Sequence, residues 1–388
     1  MSALPWHDLG SVGGDLSALA ALVGVIYVML NVAALARRPR DRSLADPNMP
    51  VSVLVPLCGA EYGLYERLAR LCRQSYGGPV QIVCGVASAS DPALGVARAI
   101  ARDFPTLRIE VEIDARLHGP NRKVSKLVYM AKLAAHDTLV MLDSDILVGP
   151  HYLRRVVGEL ARPGVGAVTC LYVGLSGGGP WAAVSAMNIN VDFLPNVISA
   201  LRLKMGQPCF GATIALSRAC LERIGGLAAF ADTLFDDYAI GMAVRQAGLR
   251  VVVSEEAVGH VCLERTSRDL IDSQLRRART IRAIDPVGNA GSVITHPFAL
   301  ACVAALLGNA EGLPLVLAAA AARLVQCLCV EWRFDLPRHR YLALPLRDLM
   351  AFGLYVAALA GRGVIWRGQR FRVAGDGDLS AARSGERF

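Results

Sequence analysis

The chain has 388 residues, of which 54% are hydrophobic and 19% are charged. This composition excludes an intrinsically disordered chain, because such chains are poor in apolar residues and rich in charge. The formal net charge is +8, which suits an anionic partner such as nucleic acid, anionic lipid or a phosphorylated substrate. The ten cysteines show no CxxC-type spacing, so we expect reduced, buried thiols rather than a zinc site.

The first apolar run covers residues 16–36 and contains no charge. As a helix it would be about 31 Å long, enough to cross a bilayer. An arginine-rich segment over residues 37–42 follows the run and no Lys or Arg precedes it, whereas a signal peptide carries its positive charge in front. The positive-inside rule therefore predicts that residues 1–15 lie outside the cytoplasm and that the chain enters it at residue 37. A buried helix of a soluble domain is the alternative.

Residues 48–290 alternate between strand-like and helix-like segments. The alternation predicts an α/β domain with an open parallel sheet and helices on both faces. In such sheets ligands bind beyond the carboxyl ends of the strands. The predicted strands are 51–56, 80–86, 107–111 and 138–142, and the predicted helices are 65–73, 91–102 and 121–134.

The second apolar block covers residues 293–361. Residues 298–307 and 313–330 are expected to form a helical hairpin in which Arg323 faces protein or snorkels to the surface. Residues 349–361 are short for a span, which favours an interfacial or re-entrant helix. The basic residues that follow predict that the tail, residues 362–388, lies on the cytoplasmic side, with disorder from about residue 375.

Acidic residues follow two of the predicted strands. Asp143 and Asp145 come directly after the strand 138–142, and two carboxylates at this spacing can share Mg²⁺ or Mn²⁺, which would neutralise a diphosphate. A solvated acidic turn is the alternative. Asp91 follows the strand 80–86 and precedes a proline, so it can accept hydrogen bonds from a nucleobase or cap a helix.

A second acidic pair, Asp236 and Asp237, precedes the helical run 239–246. One of these carboxylates is a candidate general base for an acceptor hydroxyl. Two acids in a first helical turn also suit the helix dipole without any catalytic role.

Basic residues form two groups. Lys123 stands at the start of a predicted helix, against the dipole preference, which suggests an anion nearby. Residues 273–282 contain four arginines that fit a diphosphate or anionic lipid head groups, or simply form a solvated basic face. No nucleic-acid motif is visible and the basic residues flank apolar segments, so we expect lipid rather than nucleic acid. These arginines are Arg276, Arg277, Arg279 and Arg282.

The order of these motifs resembles that of membrane-bound, inverting family-2-like glycosyltransferases with a GT-A (Rossmann-like) fold. More closely, the chain resembles the ceramide glucosyltransferase family and its bacterial relatives that glycosylate hopanoids, over roughly residues 15–373. The stretches that carry the resemblance are VSVLVPLCGAE (51–61), SDPA (90–93), GPNRKVS (119–125), PCFGATIALS (208–217), GGLAAFA (225–231), DDY (236–238), ARTIR (278–282) and SVITHP (292–297).

The resemblance implies a role for each candidate residue. Asp91 would contact the nucleotide base and Lys123 would lie near the phosphates. Asp143 and Asp145 would hold the sugar nucleotide through Mg²⁺ or Mn²⁺, and Asp237 would be the catalytic base. Arg276 would match the Arg of the family's (Q/R)xxRW motif and bind the diphosphate. Further candidates for diphosphate or acceptor contacts are Asp236, Gln274, Arg277 and Arg279.

The last motif departs from the family pattern. Read from Ser273 it places Arg277 at the usual Trp, and shifted by one it reads Gln274-x-x-Arg277-Ala278, again without Trp. The resemblance associates that Trp with acceptor placement, so this departure concerns the acceptor side of the site. Val55 stands where relatives often have Lys, and Lys126 stands where they often have Asn.

The resemblance predicts an inverting transfer of N-acetylglucosamine from a UDP-sugar to a hopanoid polyol. Ceramide with glucose is the alternative. A processive polysaccharide synthase fits less well because the motif lacks its Trp and the membrane part is small, and a degenerate lipid-binding homologue is the non-enzymatic alternative. The expected setting is the bacterial inner membrane, with the catalytic domain, residues 48–290, in the cytoplasm. The sequence alone chooses neither sugar nor acceptor.

Overall fold

The computed structural model describes residues 6–37, 48–361, 363–366, 369–373 and 379–381. Its main sheet has eight strands: β1 (Val51–Pro56), β2 (Val80–Val86), β3 (Arg108–Ile113), β4 (Thr138–Leu142), β5 (Ile146–Leu147), β6 (Val165–Ser176), β7 (Thr213–Ser217) and β8 (Arg250–Cys262). Their order across the sheet is β3-β2-β1-β4-β7-β6-β8-β5.

Fourteen α-helices accompany the sheet in the described ranges. Every strand and helix predicted for residues 51–142 is present, with ends that agree within two residues. A π-helical turn, Ile189–Phe193, separates α6 from α7. The helices are α1 (Trp6–Ala36), α2 (Leu64–Cys72), α3 (Ala93–Asp103), α4 (Arg122–Leu133), α5 (Tyr152–Leu160), α6 (Gly179–Asn188), α7 (Leu194–Arg202), α8 (Arg218–Arg223), α9 (Asp236–Gln246), α10 (Ser267–Ile284), α11 (Pro286–Gly291), α12 (Pro297–Leu306), α13 (Gly312–Phe334) and α14 (Leu344–Leu359).

The prediction of a parallel sheet is wrong for the second half of the domain. Strands β1 to β4 are parallel to one another. Strand β7, however, runs antiparallel to both β4 and β6, and β5 runs antiparallel to β8. An apolar run indicates that a strand is buried on both faces, but it does not indicate whether the neighbouring strands run parallel or antiparallel to it. The sheet is therefore mixed.

The sheet is stable because alternate residues of its strands enter two different apolar cores. Val53 of β1 and Val140 of β4 pack on one face with helices α2, α3 and α5. Leu54 and Met141, the next residues along the same strands, pack on the other face with α4, α8 and α9. Burial of these side chains on both faces explains why the strands read as continuous apolar runs.

Among the residues that the structure describes, three helical segments are long and apolar enough to cross a membrane: Ser11–Ala36, Gly312–Phe334 and Tyr341–Leu359. The expected hairpin has one full-length arm, α13, and one short arm, α12, because ten residues of helix extend only about 15 Å. The segment Pro286–Thr295 meets α12 at 68°, as in a broken span or a re-entrant loop.

Helix α14 begins at Leu344, before the apolar segment 349–361 that the sequence predicted. The charged residues Arg347 and Asp348 lie within the helix, and both are buried against other parts of the protein. Arg323 of α13 also faces protein, one of the two outcomes expected for it. Its guanidinium lies 3.1 Å from Asp348 and 3.4 Å from Asp192 of the π-turn. Arg347 pairs with the same two carboxylates. Two arginines and two aspartates thus form a neutral network that joins the apolar helices to the π-turn.

Helix α1 is fastened to the rest of the protein by close packing and polar contacts. A Cβ on Gly24 would lie 2.3 Å from the carbonyl oxygen of Ile294, so only glycine fits there. Asn31 donates a hydrogen bond to Asn196 and accepts one from Ser199, both on α7. Small residues and buried amides are typical of helix contacts in membranes.

The C-terminal part contains a three-stranded antiparallel sheet formed by β9 (Gly363–Trp366), β10 (Gln369–Val373) and β11 (Leu379–Ala381). The expected disorder from residue 375 therefore does not apply to β11, and residues 374–378 and 382–388 lie outside the described residues. Residues 1–5 and 38–47, which include most of the arginine-rich segment 37–42, also lie outside the described residues.

Candidate functional site

The predicted acidic and basic residues meet at the carboxyl edge of β4. Lys123, in the first turn of α4, places its ammonium nitrogen 2.7 Å from a carboxylate oxygen of Asp143 and 3.5 Å from one of Asp236. The same nitrogen donates a hydrogen bond to the carbonyl of Gly211 at 3.3 Å. The sequence predicted an anion near Lys123, and in this structure two carboxylates of the protein, those of Asp143 and Asp236, occupy that position.

Asn121 explains how Lys123 reaches this position. Its side-chain oxygen caps α4 by accepting hydrogen bonds from the backbone of Lys123 and Val124. Its amide nitrogen donates to the carbonyl of Thr233 at 2.9 Å and to Asp236 at 3.3 Å. One buried side chain thus aligns the start of α4 with the start of α9, although 115 residues separate Asn121 from Asp236.

Asp237, the candidate base, is held from two directions. One carboxylate oxygen accepts a hydrogen bond from the backbone of Gly211 and the other accepts one from the backbone of Tyr238, both at 2.8 Å. Burial and the neighbouring Asp236 raise the pKa of Asp237 to about 6, and Lys123 opposes this rise. A carboxylate with a pKa near the working pH is well suited to accept a proton.

Asp143 and Asp145 differ in their partners. Asp143 is paired with Lys123, and burial still raises the pKa of its carboxyl to about 6. One oxygen of Asp145 is buried and has no hydrogen-bond partner among the described residues. A buried carboxylate oxygen without a donor is costly unless a ligand uses it. Asp145 therefore offers the freer metal-binding oxygen.

His260 on β8 is a candidate metal ligand that the sequence did not reveal. Its Nδ1 lies 3.7 Å from the orphaned oxygen of Asp145, whereas two ligand atoms at right angles on Mg²⁺ or Mn²⁺ lie about 3 Å apart. Burial, followed by the charge of Arg277, lowers the pKa of His260 to about 4, so the ring is neutral and able to bind metal. Only strand pairing brings His260 to the site, because it lies opposite Ile146, the residue after Asp145.

The turn that carries Asp145 is fixed by a second pair of residues. Arg67 of α2 donates a hydrogen bond to the carbonyl of Ser144 at 2.6 Å and forms an ion pair with Glu61 at 2.9 Å. Ser144 in turn donates to Glu61 at 2.8 Å. Glu61 was part of a stretch that carried the family resemblance, but nothing in the sequence assigned this contact to it.

Asp91 fulfils one of the two roles that the sequence left open, because it caps the start of α3. One carboxylate oxygen accepts hydrogen bonds from the backbone of Ala93, at the start of α3, and of Gly59, after β1, both at 2.9 Å. The side chain lies beyond the carboxyl ends of β1 and β2. Contact with a nucleobase remains a prediction.

The arginines of α10 divide into two groups. The positive charge of Arg277 acts on the pKa values of Asp145 and His260, so Arg277 faces the site. Arg279 and Arg282 instead donate hydrogen bonds to carbonyls that follow α14, from Leu359 to Gly363. Arg276 on the same helix is also half-buried, and its contact with the diphosphate stays a prediction. The shifted motif, with Gln274 and Arg277, is a second prediction, which the charge of Arg277 near Asp145 and His260 supports.

Gln274 supports the same register. Its amide nitrogen is buried and has no hydrogen-bond partner in the described part of the chain. An orphaned donor three residues before Arg277 is available to a bound oxygen atom.

Comparison with known proteins identifies the family. Residues 16–379 match the sequence profile of Glycosyl transferase family 21. The chain belongs to this family. Curated relatives include the ceramide glucosyltransferase of Gibberella zeae, 29% identical over 42% of this chain and 33% of its own length, and ceramide glucosyltransferase 1 of Caenorhabditis elegans, 23% identical over 65% of this chain and 55% of its own length. The chain therefore spans between a third and somewhat more than half of these relatives.

A solved structure supports the fold. The mannosyltransferase PcManGT from Pyrobaculum calidifontis, in complex with GDP-Man and Mn²⁺, has a TM-score of 0.54 and 19% identity, and the match covers 90% of this chain and 97% of that one. At this identity the likeness concerns the fold alone. It confirms the predicted GT-A architecture, a mixed sheet with helices, to which this chain adds apolar helices at both ends.

The candidate metal ligands can be tested directly. We expect His260→Ala and Asp145→Asn each to weaken Mn²⁺ binding at least about tenfold, because each removes one candidate ligand atom. His151→Ala, at an exposed histidine outside the site, is the matched control and should bind normally. Electron paramagnetic resonance of Mn²⁺ titrated into the detergent-solubilised protein measures the affinity, and normal binding by His260→Ala would remove this residue from the site.

The two alignments of the arginine motif predict different effects of substituting Arg276 and Arg277. Arg277→Ala should weaken UDP binding in the presence of Mn²⁺ about tenfold or more, because it removes a positive charge that acts on Asp145 and His260. Arg276→Ala should have an effect of about twofold or less. Isothermal titration calorimetry measures both, and the reverse ranking would restore the original assignment of Arg276.

Proposed function

We propose that the protein is an inverting glycosyltransferase that moves a sugar from a UDP-sugar to a hydroxyl group of a membrane lipid. The observation that carries the proposal is that Lys123 pairs with Asp143 and Asp236 at the carboxyl edge of the sheet. Gly211, whose carbonyl accepts a hydrogen bond from Lys123, also donates one to Asp237. Membership of Glycosyl transferase family 21 supports the reaction class. The complex of PcManGT with GDP-Man and Mn²⁺ supports a nucleotide-sugar donor and a divalent cation.

The proposed reaction is a single displacement. Asp237 accepts the proton of the lipid hydroxyl as its oxygen forms a bond to the anomeric carbon. The bond from that carbon to the diphosphate breaks, and UDP leaves on the opposite face. An α-linked donor then gives a β-glycoside. Because the site holds the base and the nucleophile together, the proton transfer no longer depends on a bimolecular encounter. This proximity supplies much of the rate enhancement.

The remaining residues neutralise the leaving group. Lys123 and Arg277 bring positive charge to the side where the diphosphate departs. Asp145 and His260 would hold Mg²⁺ or Mn²⁺, which supplies further positive charge to the phosphate oxygens. Asp91 would accept hydrogen bonds from the base of the nucleotide.

The proposed acceptor is a hopanoid polyol, with N-acetylglucosamine as the sugar. The second candidate is ceramide with glucose, and the curated relatives, which are ceramide glucosyltransferases, favour it. Both acceptors are membrane lipids with free hydroxyl groups, as the apolar helices joined to the catalytic domain suggest. We place the catalytic domain on the cytoplasmic side of a bacterial inner membrane, where anionic lipid head groups would meet the basic residues that flank the apolar helices.

The base assignment is tested by Asp237→Asn. Transfer should fall at least about a thousandfold while UDP binding changes less than about threefold, because only proton acceptance is lost. Asp137→Asn, at an exposed aspartate, is the control and should retain full turnover. Unchanged transfer by Asp237→Asn would exclude this residue as the base.

The pH profile tests whether transfer requires an ionised carboxyl group with the pKa of Asp237. Because the raised pKa of Asp237 is about 6, its carboxylate is ionised above that value and protonated below it. Transfer should therefore rise between pH 5 and pH 7 with a midpoint near 6. A rate that is flat across this window would contradict the proposed protonation step.

Donor and acceptor are identified by mass spectrometry of lipids from a host that expresses the protein and is supplied with both a hopanoid polyol and ceramide. A hopanoid that carries a hexosamine is the expected product. A hexosylceramide would move the protein to the second candidate and preserve the base assignment. Neither product, with UDP-sugar binding retained, would contradict the proposed lipid transfer.

A further inference from the structure

Tyr172 on β6 joins the apolar contact between the sheet and the membrane helices to the catalytic carboxylates. Its ring packs against a buried cluster that includes Leu35 of α1, Val330 of α13 and Leu194 of α7. No other role has been given to this tyrosine, which is half-buried. A lipid that approaches Asp237 from the apolar helices would therefore meet Tyr172.

The ring of Tyr172 is fixed by three aromatic neighbours. Phe193 stacks on it with ring centres 4.5 Å apart, and Phe210 meets it edge-on at 5.9 Å. The imidazole of His260 lies 5.7 Å away. Aromatic contacts in these geometries hold rings in one orientation.

Contacts connect Tyr172 to Asp237: Phe210, which meets the tyrosine ring edge-on, precedes Gly211, whose backbone N–H donates a hydrogen bond to Asp237. Burial raises the pKa of its phenol to about 12, with Arg277 opposing and Asp237 and Asp145 adding to the rise. The hydroxyl therefore stays protonated at neutral pH and can donate a hydrogen bond. Tyrosine is suited to such a boundary because its ring is apolar and its tip is polar.

The position of Phe193 is set from the membrane side. Its neighbour in the π-turn, Asp192, is clamped between Arg347 of α14 and Arg323 of α13. A π-turn inside a helix is uncommon and often occurs at functional sites. The ion pairs of Asp192 with the apolar helices thus fix the position of the Phe193 ring, which stacks on Tyr172.

We propose that Tyr172 binds the lipid acceptor, with its hydroxyl donating a hydrogen bond to an acceptor oxygen beside Asp237 and its ring contacting the apolar part of the lipid. Asp192 is a positioning residue that acts through Phe193. The inference rests on the proposed lipid transfer and assigns its acceptor side. The candidate nucleotide contacts Asp91 and Lys123 lie on the other side of β7, near β1, β2 and β4.

Tyr172→Phe removes the hydroxyl and keeps the ring. We expect the KM for the lipid acceptor to rise about three- to tenfold, as for the loss of one hydrogen bond, while the KM for the UDP-sugar changes less than about twofold. Tyr65→Phe, at an exposed tyrosine on α2 whose hydroxyl bonds to Asp103, is the control and should leave both values unchanged. Kinetics with purified protein, UDP-N-acetylglucosamine and the lipid identified by mass spectrometry measure both constants.

Asp192→Asn tests the positioning role. Alone it should raise the acceptor KM, and in the Tyr172→Phe background it should raise that KM by a smaller factor, because the part of its effect that passes through the hydroxyl is already lost. Fully additive effects would show that Asp192 acts elsewhere. An equal rise in donor and acceptor KM for Tyr172→Phe, or no rise in either, would overturn the acceptor assignment. A wild-type protein that hydrolyses UDP-sugar but transfers to no lipid would overturn the proposed function and this inference together.

Discussion

The ion pair of Lys123 with Asp143 and Asp236 is the contact on which the site depends. The carboxylates of Asp143, Asp145, Asp236 and Asp237 would repel one another if only burial brought them together. A single ammonium group, 2.7 Å from Asp143 and 3.5 Å from Asp236, offsets this repulsion and joins the end of β4 to the start of α9. Burial lowers the pKa of Lys123, but these two carboxylates raise it by more, so the lysine stays charged.

The pairing also divides the carboxylates by task. Asp143 and Asp236 are engaged by Lys123, whereas Asp237 is held by backbone N–H groups and Asp145 retains a free oxygen beside His260. Four similar side chains thus acquire different chemistry from their partners, because hydrogen bonds and neighbouring charges determine which form of a carboxyl is stable. Proton acceptance and cation binding can then occur in one site without competing for the same oxygen atoms.

The apolar helices are part of the structure of the site. The network of Arg323, Arg347, Asp192 and Asp348 carries no net charge and satisfies most of its polar atoms internally. Breaking such a network would leave an unpaired charge in an apolar setting, at a cost of several kcal/mol. The helices therefore hold the π-turn firmly, and the π-turn packs Phe193 against Tyr172 and Phe210.

The amino-acid sequence by itself determined the strands and helices of residues 51–142, because apolar runs and turn residues are local properties of the chain. It also marked Asp91, Asp143 and Asp145 at one edge of the sheet, since the carboxyl ends of parallel strands face the same way. The family resemblance located Lys123 and Asp237 before any contact was known.

Only the tertiary structure decided the direction of β7 and the pairing of His260 with Asp145. These features depend on which strands become neighbours, and the paired residues are far apart in the chain: Thr138 lies opposite Ser217, and Ile146 lies opposite His260. Asn121 and Tyr172 show the physical reason. Neither belongs to a charge or spacing pattern, and each acquires its role from partners that folding brings together.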